Sequence, residues 1–186
     1  MSKGRGGRLT RLCWLCWSLA GAALPAPTWA GDLSESQVKA AFLYNFARFT
    51  EWPPARSGAF DICILGSDPF GAALAPYEGR IVAGREVRLR RRIGVDEAAS
   101  CSILYVASSE ARRLVPILRA VAGMPVLTVS DIDGFADAGG MIELLAVDDR
   151  IRFDVNLDSA GLTHLRFNAN MLQAARRVIR HAERGR

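Results

Sequence analysis

Three short apolar runs constrain this chain more than any other feature. They are "AFDICILG" (59–66), "CSILYVAS" (101–108) and "MPVLTVSD" (124–131). Each is the length of a strand, and each ends at a glycine or at polar residues. Such runs read as strands buried on both faces. A sheet with apolar residues on both sides needs helices packed over it, and helical patterns alternate with these runs.

The first of them is "VKAAFLYNFARFTEWPP" (38–54). Ser34 and Gln37 form an S-x-x-Q capping box ahead of it. Val38, Ala41, Phe42, Phe46 and Phe49 recur at helical spacing, and Pro53 and Pro54 end the pattern. This predicts a helix over 35–51. A short helix is expected after Asp68 as N-cap, with Pro69 at its first position. "SEARRLVPILRAVAG" predicts a helix capped by Ser108 or Ser109, stopped at Gly123 and kinked or divided at Pro116. "REVRLRRRI" alternates with period two and reads as a half-exposed strand. "MIELLAVDD" and "RIRFDVNLD" read as a hairpin turning near Asp148–Arg150. Asn168 caps a predicted last helix whose apolar face is Met171, Leu172, Ala175, Val178 and Ile179. The expected fold is a single α/β domain. Its mixed, mainly parallel sheet is flanked by helices, is parallel through the strands near 61, 103 and 126, and carries an antiparallel C-terminal hairpin.

Residues 1–30 have the order of a secretory signal peptide. A basic stretch holds Lys3, Arg5, Arg8 and Arg11, a short apolar run follows, and "TWA" ends at Ala30. The apolar run is short for a bilayer span, which needs roughly 20 residues. An uncleaved anchor is the alternative. The expected mature domain is 31–186, with no stable membrane insertion. The leader carries 4 of the 24 basic residues and none of the 19 acids, so the mature chain has 20 against 19, a formal charge of +1. That removes the main support for a nucleic-acid partner. The clusters at Arg85–Arg92 and Arg176–Arg186 read as solvated faces.

Cys13 and Cys16 fall in the leader, which leaves Cys63 and Cys101. An even pair in an exported chain points to one disulfide, worth roughly 4 kcal/mol for a loop of about 39 residues. Two buried free thiols are the alternative.

Residues for a reaction are scarce, and no enzyme activity, metal or cofactor is expected. "GSDPFG" (66–71) lacks the Gly-Lys-Ser/Thr of a phosphate loop. His164 and His181 have no ligand partner at metal spacing. Asp131/Asp133 and Asp148/Asp149 fall in turns, where aspartate serves local hydrogen bonds. Asp154 shares an alternating face with Arg152 and Asn156. That row is expected to face solvent or a partner, with Phe153 and Val155 inward. The glycine-rich "IDGFADAGG" (132–140) is the most suggestive remaining segment. Its Phe135 either tucks into the domain or presents a contact, and the loop with the strand ends is a candidate pocket for a small ligand.

Two blocks carry a family resemblance. "VKAAFLYNFARFTEWP" (38–53) nearly matches the K-A-A-F-L-Y-N-F-A-K-F-x-E-W-P run of the YfiR-like family of bacterial periplasmic proteins. "GGMIELL" (139–145), "RIRFDVNLDSA" (150–160) and the closing helix resemble that family's later segments. The resemblance spans about 35 to 180. Asn168-Ala169 replaces the usual Ser-Ser, and a second cysteine pair of some members is missing. Cys63 and Cys101 fit the pair that members commonly carry in two early strands. The resemblance implies a soluble, dimeric periplasmic repressor, with redox state and envelope stress bearing on its action. Its partner would be the periplasmic sensor region of an inner-membrane diguanylate cyclase, and repression would lower cyclic di-GMP and biofilm formation. The alternative is a periplasmic small-ligand module. Phe42, Phe46 and Phe49 share a face and are expected in the core. Tyr44 and Trp52 lie off that stripe and are candidate dimer or partner contacts, with Phe135 a third.

Overall fold

Helix α1 (Glu35–Phe49) begins at the capping box. Ser34 Oγ accepts the Gln37 N–H at 3.3 Å, and the Gln37 side chain accepts the Ser34 N–H at 2.8 Å. The helix stops two residues short of the expected boundary, because Thr50 turns extended and starts strand β1 (Thr50–Glu51). Side chains take over the carbonyls this frees. Thr50 Oγ1 donates to Phe46 O at 2.7 Å, and Trp52 Nε1 donates to Ala47 O at 2.9 Å. The buried face is Ala40, Leu43, Phe46 and Ala47, while Phe42 and Phe49 pack against it half-buried. The computed structural model describes residues 33–54 and 57–180; the expected leader and His181 lie outside them.

The chain continues through β2 (Phe60–Leu65), β3 (Ile81–Val82), β4 (Arg85–Ile93), β5 (Ile103–Val106), helix α2 (Leu114–Ala120), β6 (Leu127–Ser130), β7 (Ile142–Val147), β8 (Arg150–Asn156), helix α3 (Leu157–Gly161), β9 (Arg166–Phe167), helix α4 (Ala169–Ala174) and β10 (Arg177–Ile179). Eight strands make one sheet in the order β10-β8-β7-β6-β5-β2-β4-β3. It is parallel from β7 to β4, as the apolar runs require. Strand β8 runs antiparallel to β7, β10 parallel to β8, and β3 antiparallel to β4. Strands β1 and β9 form a separate antiparallel ribbon.

Strands β2, β5 and β6 are buried at every residue. Their register sorts side chains by period two. Ile64, Tyr105 and Val129 stand in line on the face that α1 covers, while Cys63 and Leu104 face α2. The β7–β8 hairpin turns through Asp148 and Asp149, both with positive φ (49° and 56°), as a two-residue turn that matches strand twist demands.

Three expectations need correction, and a fourth is narrowed. Asp68 does not cap a helix at Pro69: its Oδ1 accepts the Phe70 N–H at 2.8 Å in a local turn, and a 3-10 turn over Gly71–Tyr77 follows. The helix around Pro116 is divided, one of the two outcomes expected of its proline, but the break falls ahead of Pro116. A 3-10 turn over Ser108–Arg113 leads into α2, which places Pro116 in the first turn of α2, where no N–H is needed. The last helix ends at Ala174, and Val178 and Ile179 belong to edge strand β10 instead of a helical face. Asp154 and Asn156 are buried rather than turned to solvent. The last two corrections have one cause. Asp154 needs a counter-charge inside the fold, and Arg176 and Arg177 reach it when the chain runs extended beside β8.

Candidate functional site

Cys63 in β2 and Cys101, two residues ahead of β5, form a disulfide with Cα atoms 6.0 Å apart. Neighbouring parallel strands bring them together, and both residues are fully buried. The bridge lies in the core beneath α2.

The aromatic candidates separate. Tyr44 is half-buried on α1 and stacks on Tyr77 of the 3-10 turn, with centroids 4.7 Å apart and planes at 25°. The Arg48 and Arg80 guanidiniums lie 5.9 and 5.8 Å from the Tyr44 ring. Trp52 is half-buried with its edge against Phe60, a core residue, and its indole N–H is already used. Phe135 is fully buried, so of the two readings of that residue the structure has the one that tucks it into the domain.

Phe135 sits in a clasp. Gly140 lies so close that a Cβ there would fall 2.0 Å from Phe135 Cε1. Glu143, buried in β7, accepts the Gly134 and Ala136 N–H groups at 3.0 and 2.9 Å. Asn156 Nδ2 donates to Ala136 O at 2.7 Å. Arg177 reaches both Asp154 and Asp137, and its hydrogen bond holds the Asp137 carboxyl below its ordinary pKa. Glu143 stands opposite Asp154 in the β7–β8 register. Two buried acids side by side persist because one takes backbone donors and the other takes guanidiniums. The loop is therefore internal scaffolding. The cavity beside it, lined by Thr128, Gly139, Met141 and Ser159, holds about 80 Å³, well below the several hundred Å³ of a small-molecule site.

A family model described as YfiR/HmsC-like matches residues 36–176. The chain belongs to the YfiR/HmsC-like family. This family is one of periplasmic regulators associated with diguanylate cyclase signalling. The fold is similar to a crystal structure of a conserved domain protein from Vibrio cholerae O1 biovar eltor str. N16961. The TM-score is 0.55 at 8% identity, and the match covers 80% of this chain. The chain spans 62% of the length of that structure.

Within this YfiR/HmsC-like domain, sequence reasoning missed a polar junction under α1. Lys39 bridges Glu35 at 2.6 Å and Asp131 at 2.7 Å, tying the helix to the end of β6. Burial alone would lower the Lys39 pKa, but hydrogen bonds and charge from Asp131 and Glu35 outweigh it and hold it above 10.5. Nearby, the Tyr105 hydroxyl and Asp131 Oδ1 are buried and meet no hydrogen-bond partner within bonding geometry among the described residues. Burial first, then the Asp131 charge, pushes the phenol pKa far up. No periodicity announces the long-range half of this junction, since Lys39 and Asp131 are 92 residues apart. Among the described residues no cluster of three or more His, Cys, Asp or Glu is placed to hold a metal, and no helix is long and apolar enough to cross a membrane.

Proposed function

We propose that the mature chain, released from a leader near Ala30, represses a membrane diguanylate cyclase without any turnover or cofactor of its own. As a homodimer it grips the periplasmic sensor region of the cyclase. The observation that carries this reading is the family match across 36–176. A buried disulfide in a chain of this size also suits an oxidising compartment. Repression is a population shift: the chain must bind the inactive sensor state more tightly than the active one. Moving that equilibrium from 1:99 to 99:1 takes a differential of about 10⁴-fold in affinity. Tyr44 and Trp52 are the proposed contacts, with Phe135 set aside because it is buried.

The test is to delete the gene and measure cyclic di-GMP. The expected result is a rise that the wild-type gene reverses. Cys63→Ser should reverse it only in part, because losing the bridge removes roughly 4 kcal/mol of stability and lowers the folded fraction. Unchanged cyclic di-GMP after deletion sinks the reading.

A further inference from the structure

Gln37, Ala41, Tyr44 and Arg48 fall at i, i+4, i+7 and i+11, one stripe along α1. Across from them, the 3-10 turn offers Ala73, Pro76 and Tyr77. Between the two runs an open groove of about 730 Å³, lined by Gln37, Ala41, Phe70, Ala73, Pro76 and Tyr77 among others. Its lining is largely apolar, and it ends at Tyr77, which stacks on Tyr44. There the charge is one-sided. Arg48 and Arg80 are both exposed and both lie within 6 Å of the Tyr44 ring. Neither meets a carboxylate among the described residues, whereas Arg88, Arg90, Arg91, Arg113, Arg176 and Arg177 each have one. Glu78, close to Arg80 in sequence, sits instead by the Leu89 N–H at 3.5 Å. Two guanidiniums gathered on one ring repel each other, and a negative group placed between them reverses the sign of that interaction. Tyrosine and arginine together, beside an apolar trough, are the composition of an interface centre.

We propose that this groove docks an acidic segment of a protein partner, with an apolar side chain over Ala41 and Ala73 and a carboxylate between Arg48 and Arg80. The spacing follows from the helix. Ala41 and Arg48 are separated by roughly 10 Å of rise along the axis. An extended partner spans that distance in about three residues, so the apolar and acidic side chains stand about three positions apart. The inference rests on the regulator reading above and specifies its partner surface: the segment belongs to the sensor region of the cyclase.

The experiment uses the disulfide-intact mature chain and the immobilised sensor region of the diguanylate cyclase from the same organism. Wild type, Arg48→Glu/Arg80→Glu and the distant control Arg112→Glu are titrated at low and high salt. The double reversal is expected to weaken Kd at least about 30-fold, with Arg112→Glu unchanged. Salt should weaken wild type and leave the double variant nearly flat. If the reversal fails to fold, Arg48→Gln/Arg80→Gln decides instead, with an expected loss of about 10-fold. Binding by the double variant equal to wild type overturns the docking site and leaves the regulator standing. No binding by wild type overturns both.

Discussion

In the glycine-rich loop an aromatic ring is fully buried and the acids that hold the loop are spoken for; between α1 and the 3-10 turn two rings stand half-buried, and two cations meet no acid among the described residues. Phe135 lies under Gly140, with Glu143, Asp154 and Asn156 holding the loop backbone. Tyr44 and Tyr77 stack at the surface with Arg48 and Arg80 beside them. Hydropathy does not distinguish these regions, since both place aromatics among polar neighbours. Hydrogen-bond and charge satisfaction does. A buried polar group left unpaired is costly, so the fold closes the loop around its own partners. An exposed cation is solvated at little cost, so the α1 face can wait for an outside partner. The lesson is that unpaired charge beside exposed aromatics, rather than aromatic content, marks the surface left for binding.

The sharpest way to break this contrast is Asp154→Ala. It takes the carboxylate away from Arg176 and leaves Arg177 with Asp137 alone, and because both guanidiniums stay part-exposed the expected loss is about 2–3 kcal/mol in urea unfolding. A loss under about 1 kcal/mol would mean that the clasp does not hold the loop. Next, Gly140→Ala drives a methyl into the Phe135 ring, and an expected cost of about 1–3 kcal/mol should appear as a lower urea midpoint. On the open side, Tyr44→Ala should cost only about 1 kcal/mol of stability, the worth of its stack, while weakening partner binding more than any substitution in the loop. Equal binding by Tyr44→Ala and wild type would erase the contrast.

The smallest effect concerns the junction beneath α1. Tyr105→Phe removes a buried hydroxyl that meets no well-formed partner among the described residues, so stability at neutral pH should change by less than about 1 kcal/mol. Its signature is in alkali. The folded phenol pKa lies above the ordinary 10.0, so above pH 10 the unfolded chain loses a proton that the folded chain keeps. Stability must then fall as pH rises. Lys39 acts in the same direction: its contribution is complete below 10.5 and is lost as pH climbs through its higher folded value. Urea midpoints of wild type should drop beyond pH 10, and the drop should be shallower in Tyr105→Phe. Parallel pH profiles would show that the phenol takes no part.

Much of the architecture was readable before any coordinates. Ser34 and Gln37 announced the start of α1, the three apolar runs became β2, β5 and β6, and Asp148–Asp149 became the hairpin turn. The failures cluster at the C-terminus. Val178 and Ile179 carry helical spacing, yet strand β10 takes them because Arg177 pairs with Asp154. Arg80 was hidden from the site reading too, since nothing local shows a residue 36 positions after Tyr44 closing over its ring.

Local pattern settled where α1 starts, which runs make β2, β5, β6 and the β7–β8 hairpin and, through their alternation with helical segments, that the central strands run parallel. Caps, turns and hydrophobic period depend on residues within a few positions, so they can be read along the chain. Long-range pairing settled the rest: Phe135 inside, Asp154 paired with arginines, the last strand in place of a helix, and Arg48 and Arg80 beside the tyrosines with no carboxylate among the described residues. Asp154 and Arg177 lie 23 residues apart, and the free energy of burying a charge is known only once the fold says what surrounds it.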